Sequence, residues 1–379
     1  MSFVSSCLLL IFDAKIVGRW LRLSKVSPKT GGSLRTETLD IEQPAALTTY
    51  LRQEGYLAAD QAAEFRLLKG GVSNRAVWVK LPSGEQWVIK QALEKLRVPV
   101  DWFSDPVRIH REALGLRWLS RLGPVGTIPR LIFEDEARHV LAMEAAPLPH
   151  ANWKQLLLAG EVDLEYVAQF GRLLGTIHAG AYQRRVELAP VFTDRSFFES
   201  LRLEPYYRYT AERMLSAQPF LHRLIQDTLS RPITLVHGDY SPKNILIHDG
   251  RLILLDHEVI HWGDPAFDLG FSLTHLLSKA HHLPAQRQAL RQTAHHYWRV
   301  YQETINRPGW ATDLEGYALR HTLACLLARV AGRSTLEYLS SEARTRQQQV
   351  TVTLMKQPPP TLADLIEQFV TKVQHEDDR

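Results

Sequence analysis

Asp249-Gly250 lies between two short apolar runs, Ile245-Leu246-Ile247-His248 and Arg251-Leu252-Ile253-Leu254-Leu255. No other local pattern constrains the fold as tightly. Runs joined by Asp-Gly predict a two-residue β-hairpin. Counting outward from the turn pairs His248 with Arg251 and Asn244 with Leu255. Asn244 and Asp256 then fall one position apart at the open end of the hairpin. Strict alternation would put them on opposite faces. Proximity is therefore the expectation, with the ladder distorted where the strands end. Two hard oxygen ligands meeting there suit magnesium, which takes a few carboxylates together with phosphate and water.

The hairpin joins two motifs. Leu235-Val236-His237-Gly238-Asp239-Tyr240-Ser241-Pro242-Lys243-Asn244 leads into its first strand, and Asp256-His257-Glu258 follows its second. An acid ends one apolar run, an amide follows five residues later, and a second acid ends the next run. Phosphoryl transfer from a metal-bound nucleotide needs such a set. One carboxylate orients or deprotonates an acceptor hydroxyl, while an amide and another carboxylate hold the metal.

The chain has 379 residues, 45% hydrophobic and 23% charged, as in an ordinary globular protein of two to three domains. A net charge of +4 suits an anionic ligand, and without a dense basic run it gives no case for nucleic acid. Cys7 and Cys325 are far apart and read as free thiols in a reducing, cytoplasmic setting. The apolar run Cys7–Phe12 is far short of the roughly 20 residues a membrane span takes. Residues 1–40 read as a flexible or mis-assigned extension, with a basic, acid-poor transit peptide as the other reading.

Residues 41–63 read as helix. Three strand-like runs follow: Phe65–Leu68, Arg75–Leu81 with period-two alternation, and Glu85–Lys90. The loop Lys69-Gly70-Gly71-Val72-Ser73-Asn74 joins the first two. Adjacent glycines let backbone N–H groups approach a phosphate, although two glycines alone favour an ordinary turn. Lys90 shares a strand face with Val88, and a buried lysine needs a partner. Glu112, inside an amphipathic helix over Val107–Leu122, is the candidate. Taken singly, Lys90 is a strand end and Glu112 a solvated helix position. Taken with the downstream motif, they are a phosphate clamp. His139–Met143 reads as a further strand and Glu144–Pro149 as a hinge. Helices are expected from Leu164 to Gly180, after Gly263-Asp264-Pro265, over Gln286–Ile305 and over Asp313–Ala331. A final helix follows the Pro358-Pro359-Pro360 linker, with Thr361 as N-cap and Asp364 three residues on. His178 reads as a packed or capping residue, and Lys243 as exposed.

The set His237–Asn244, Asp256–Glu258 and Gly263–Asp268 resembles the aminoglycoside phosphotransferase and choline kinase superfamily from about Phe65 to Leu339. The Gly70–Asn74 loop and Val88-Ile89-Lys90-Gln91 are locally similar to methylthioribose kinase. The resemblance implies an α+β, bilobal protein-kinase-like fold with a small antiparallel β-rich N-lobe and a larger, mainly helical C-lobe. The expected divisions are 41–145 for nucleotide binding, 146–356 for catalysis and acceptor binding, and 357–379 for the linker and last helix. It implies ATP and Mg2+ as cofactors and a small-molecule hydroxyl acceptor, with neither nucleic acid nor membrane as partner. Asp239 matches the catalytic base, and His237 braces its loop. Asn244, Asp256 and Glu258 match metal ligands, and Asp268 anchors the catalytic loop. Lys90, Glu112, Gly70, Gly71, Ser73 and Asn74 would hold the nucleotide. The backbone at Met143 and Glu144 would receive the adenine. Leu326–Leu339 resembles a late segment of some uncharacterised members.

The reading is thus an ATP-dependent kinase of a small molecule: an aminoglycoside, amino alcohol or sugar-like metabolite. The alternative is a nucleotide-binding pseudokinase or scaffold, which the intact set Lys90, Asp239, Asn244 and Asp256 disfavours. A protein kinase is disfavoured because Asp-Phe-Gly and Ala-Pro-Glu are missing. The acceptor is left open among residues near Trp102, Tyr206, Tyr207, Trp262, Arg329 and Arg333. Aromatics there would cage an alkylammonium head, and arginines would bind a carboxylate or phosphate.

Overall fold

Alternation along the early strands sends side chains to two faces of one sheet, and each face has its own cover. A computed structural model describes residues 39–68, 71–97, 101–306 and 308–377. These belong to one unit beginning at Leu39. The expectations for residues 1–38 and for Gly70 fall outside the described residues.

The order is α1 (Pro44–Gln53), β1 (Glu64–Leu67), β2 (Asn74–Lys80), β3 (Gln86–Ala92), α2 (Arg108–Leu122), β4 (Leu131–Asp135) and β5 (Val140–Glu144). There follow β6 (Ala151–Asn152), α3 (Trp153–Leu158), α4 (Leu164–Gln183), α5 (Arg185–Val191), α6 (Ser196–Phe198) and a π-helix at Glu199–Arg208. Next come α7 (Tyr209–Arg213), α8 (Gln218–Leu229), β7 (Thr234–Val236), β8 (Ile245–His248), β9 (Arg251–Leu254) and β10 (His261–Gly263). The chain continues through α9 (Ala266–His282), α10 (Arg287–Ile305), α11 (Leu314–Ala331), α12 (Ser341–Lys356) and α13 (Leu362–Asp377).

The first five strands form an antiparallel sheet in the order β1-β2-β3-β5-β4. Val77, Val79, Trp87, Ile89, Val140 and Ala142 face α1 and form a separate small core with Leu47, Tyr50 and Leu51. The opposite face presents Leu141 and Met143 to α2, and these join the main core that runs through α4, α9, α10 and α11. The fold is therefore α+β, with an antiparallel sheet first and a mainly helical remainder, as the resemblance implied.

Local departures have local causes. The first helix stops at Gln53 rather than continuing to residue 63, because Gly55 takes φ +78° and turns the chain. Leu131–Asp135, unrecognised in the sequence, pairs with β5 across a register shift between Leu131 and Phe133. The hairpin pairs as counted: His248 faces Arg251, Ile245 faces Leu254, and Leu255 N–H donates to Asn244 O at 2.9 Å. Both turn residues have positive φ, Asp249 at 50° and Gly250 at 72°. The Thr361 cap forms, with Asp364 N–H donating to its Oγ1 at 3.1 Å.

Candidate active site

Asp239 follows β7 through Gly238, and the backbone there is bent before it is functional. Gly238 has φ +76°, and a Cβ would meet Val259 Cγ2 at 2.9 Å and Val259 O at 3.0 Å. Asp268, in the first turn of α9, clamps this bend. Its carboxylate accepts the N–H of His237 at 2.7 Å and of Gly238 at 2.8 Å. Burial raises the Asp268 pKa, but hydrogen bonds from the His178 ring and the His237 backbone help hold the group below the usual carboxylate range. His178 is a packed support: Nε2 lies 3.3 Å from Asp268 and Nδ1 2.9 Å from Tyr301 Oη.

His237 Nδ1 accepts the N–H of Asp239 at 3.2 Å, so Nε2 carries the proton and donates to His257 Nδ1 at 3.1 Å. The chain of tautomers needs both rings neutral. Burial favours this by lowering both pKa values, and the Lys90 charge pushes His257 lower still. His237 therefore braces the loop.

The Asp239 carboxylate is asymmetric. Oδ2 lies 3.1 Å from Arg202 Nη2 and 2.8 Å from Lys243 Nζ, and accepts from Asn244 Nδ2 at 2.8 Å. Oδ1 is buried and has no partner among the described residues. Burial raises the pKa, but the two cations and the hydrogen bonds from Lys243 and Asn244 bring it down to about 2. Lys243, expected to be exposed, is 44% exposed with its ammonium committed to this carboxylate.

Asn244 closes a short 3-10 turn at Pro242–Asn244, and its Nδ2 also donates to Asp239 O at 2.9 Å. Oδ1 remains as its metal-capable atom. Asp256 sits just past β9 with φ +68°, the distortion that frees it from strict alternation.

Lys90 is inside β3 rather than at a strand end. Its Nζ lies 2.6 Å from Glu112 Oε1 and 3.7 Å from Asp256 Oδ1. Glu112 is completely buried, not solvated. Burial works against the Lys90 ammonium, but Glu112, Asp256 and Glu258 outweigh it, so its pKa lies above the ordinary lysine value. Glu112 is raised as well, to about 7. Burial is the main cause, Lys90 opposes it, and Asp256 and Glu258 add to it. Glu112 and Asp256 flank the lysine and Glu258 adds negative charge without touching it, an excess that a divalent cation would relieve.

Glu258 is held through one carboxylate oxygen. Oε2 takes Arg108 Nε at 3.2 Å and Asn74 Nδ2 at 3.4 Å. Arg108 also donates to the carbonyls of Ser73, Leu93 (2.7 Å), Ser104 (3.0 Å) and Asp105 (3.1 Å). It thus binds the glycine loop to α2 and to Glu258. Gly71, Ser73 and Asn74 lie on that tether. Met143 is buried within β5, and the Glu144 N–H is taken by Arg130 O at 2.8 Å. Among the described residues, no cluster of three or more His, Cys, Asp or Glu side chains could hold a metal.

Sequence reasoning missed Arg202 and Arg108. Arg202 reaches Asp239 from the π-helix and also donates to Gly238 O at 2.8 Å. No side-chain pattern marks a π-helix, which is rare and gathers at functional sites. Arg108 did leave a trace: a cation in the first turn of a helix opposes the dipole and so suggests a tertiary task. The acceptor candidates divide. Tyr207 is buried against His321 and Cys325, and Trp262 donates to Pro232 O and lines a surface groove with Tyr182 and Trp310. Tyr206 and Arg329 contact one another, while Arg333 pairs with Glu204.

A sheet carrying the Lys90–Glu112 pair, joined to a helical part that presents Asp239 and Asn244 beside Asp256, defines a small-molecule kinase of protein-kinase-like architecture. The chain belongs to the phosphotransferase enzyme family (APH), whose family model matches residues 64–304. It is similar to methylthioribose kinase of Yersinia pseudotuberculosis serotype O:1b, 25% identical over 317 residues that cover 71% of this chain and 76% of that protein. Among solved structures, amicoumacin kinase hAmiN in complex with AMP-PNP, Ca2+ and Ami shares the fold at a TM-score of 0.54 and 14% identity. That match covers 84% of this chain and 96% of the other. Choline kinase from Cryptosporidium parvum Iowa II matches at 0.51 and 12% identity, over 86% and 100%. No helix among the described residues is long and apolar enough to cross a membrane.

Proposed function

We propose that this enzyme transfers the γ-phosphate of ATP, used as its magnesium complex, to a hydroxyl of a small molecule. The observation that carries the reading is the Asp239 carboxylate: one oxygen held by three donors, the other buried and unpartnered. An acceptor hydroxyl donating to Oδ1 would complete it. The similarity to methylthioribose, choline and amicoumacin kinases supports a small-molecule acceptor.

Asp239 orients the hydroxyl oxygen at the γ-phosphorus. The new P–O bond forms there, the bond to the β-phosphate oxygen breaks, ADP leaves, and the hydroxyl proton passes to Oδ1. With a carboxyl pKa near 2, Asp239 orients the hydroxyl first and takes the proton late. Lys90, fixed by Glu112, contacts the nucleotide phosphates, and the 71–74 loop covers them. Asn244 Oδ1 and Asp256 would hold magnesium, with Glu258 supporting through Asn74 and Arg108. Two protein ligands suit an ion that keeps waters and substrate phosphates. When bound, the ion neutralises charge developing on the phosphates. Residues 41–145 thus serve the nucleotide and 146–356 the chemistry and acceptor. A cytoplasmic setting, where ATP is present and thiols stay reduced, fits the reading.

The test is Asp239→Asn. Magnesium–ATP should still raise the melting temperature of the variant, while ADP release falls by at least roughly a hundredfold. Undiminished turnover would sink the assignment.

A further inference from the structure

Helix α9 carries one polar face through the site: Asp268, Ser272, His275 and Lys279, at helical spacing. The first two residues serve the catalytic loop, Asp268 through its carboxylate and Ser272 by donating from Oγ to Tyr240 O at 2.8 Å. The next two have no such task. Lys279 is fully buried, and its contacts among the described residues are the His275 carbonyl at 3.2 Å and the Tyr338 ring at 5.5 Å. Among the described residues no carboxylate forms an ion pair with it, and Glu337, itself bound to Lys154, acts on it only through its charge. His275 is 3% exposed and, among the described residues, its Nε2 has no partner, nor do Ser278 Oγ and Tyr338 Oη.

Cations surround this end of the face. Arg329 donates to Tyr206 Oη at 3.2 Å and to Ser334. Lys154 pairs with Glu337 at the rim, and Lys243 and Arg202 lie on Asp239. Burial first, and then Lys279, Arg329, Lys243 and Lys154 together, hold His275 well below an ordinary histidine pKa. Burial brings Lys279 itself down to about 7, and Lys154 and Arg329 add to this against Glu337. A buried cation without a counter-charge is costly, and unpartnered donors around it mark where an anion would sit. An alkylammonium cage is excluded at Tyr206, because Arg202 and Arg329 already lie 5.9 and 5.6 Å from its ring centre.

The geometry points to an anionic acceptor: a hydroxylated small molecule whose carboxylate or phosphate is held by Lys279 and Arg329, with its hydroxyl on Asp239 Oδ1. This rests on the kinase reading and names its substrate class. Ser272 and Lys279 are seven residues apart, roughly 10 Å along the helix. The acid group therefore sits several bonds from the reacting hydroxyl. Arg329, Ser334, Glu337 and Tyr338 all belong to the Leu326–Leu339 segment that the sequence singles out.

The test takes the full chain with magnesium–ATP and four acceptor panels: hydroxy carboxylates, sugar phosphates, neutral sugars and aminoglycosides. ADP release should be confined to one of the two acidic panels, which also separates carboxylate from phosphate. Lys279→Met, which removes an unpaired buried amine and should fold, is expected to raise the acceptor KM roughly ten- to hundredfold. The KM for ATP should stay unchanged, and Lys279→Arg should recover part of the loss. Turnover with neutral sugars or aminoglycosides but with neither acidic panel would overturn the anionic acceptor and leave the kinase standing. If magnesium–ATP neither raises the melting temperature nor yields ADP with any acceptor, the kinase reading itself falls. If magnesium–ATP binds and no acceptor turns over, melting with the acidic panels decides. A rise lost in Lys279→Met supports the proposal, and no rise, or an equal one, overturns it.

Discussion

Asp268 Oδ1 accepts the Gly238 N–H at 2.8 Å while Oδ2 accepts that of His237 at 2.7 Å, so one buried carboxylate fixes the loop that ends in Asp239. Asp268→Asn tests this without changing volume. One amide oxygen still accepts, but the amide nitrogen then faces a second N–H donor. Leaving a buried donor unmet costs about 1–3 kcal/mol, and more where a charged acceptor is lost. Denaturant unfolding should show that loss, and turnover should fall at least roughly tenfold as Asp239 shifts.

Gly238→Ala should be damaging for two separable reasons. The left-handed backbone at φ +76° costs a non-glycine residue about 1–2 kcal/mol. The added Cβ would also sit 2.9 Å from Val259 Cγ2 and 3.0 Å from Val259 O. Adding Val259→Ala removes the side-chain contact but neither the carbonyl contact nor the strain. The double variant should therefore recover only part of the lost stability.

The hairpin was legible because its information is local: Asp-Gly fixes a turn, and the turn fixes the register that brings Asn244 to Asp256. The Lys90–Glu112 pair was legible only together with the downstream motif, since singly Lys90 reads as a strand end and Glu112 as a solvated helix position. Arg202 and Arg108 were not, since their contacts with Gly238 and Glu258 cross 36 and 150 residues of sequence and depend on tertiary placement. The three-residue β10 and the bulged β4 are too short or irregular for periodicity to mark. The buried Lys279 was hidden for a different reason. A lysine near a helix C-terminus reads as a favourable surface charge, and only the packing of Tyr338 and Arg329 around it reveals the missing counter-ion.

Lys90→Met should be tolerated in acid and not in base. The lysine lowers the Glu112 pKa, so without it Glu112 rises beyond its present value of about 7. Its unfolded value is near 4.5, so the unfolded state ionises first and folding stability falls as pH rises between the two values. Wild type itself loses stability this way up to pH 7, so from pH 6 to 8 the destabilisation relative to wild type should grow by up to about 1.4 kcal/mol, at about 1.4 kcal/mol per pKa unit. Urea titrations of wild type and variant at both pH values measure it. An equal loss at pH 6 and pH 8 would mean that the Glu112 carboxylate stays charged without its lysine.

Acid should draw stability away through the buried neutral histidines, against a gain from the raised carboxylates of Glu112 and Asp264. Burial lowers His261 from 6.5 to about 4 and His321 to about 3, with Arg320 and Arg231 adding to the latter. Below pH 6.5 the unfolded chain takes up these protons and the folded chain does not, so stability falls with pH down to the folded values. Asp264, raised to about 6 mainly by burial, works the other way and gains stability as pH falls from 6 to 3.8. Asp239, held near 2, loses its contribution only below 3.8. His321 bonds Tyr207 Oη at 2.8 Å and Thr228 Oγ1 at 3.2 Å, contacts a glutamine can partly keep. His321→Gln should therefore remove one proton's worth of slope, about 1.4 kcal/mol per pH unit between pH 6 and 4. Unfolding free energies across that window read it directly. An unchanged slope would mean that His321 takes up its proton in the folded enzyme near the ordinary histidine value.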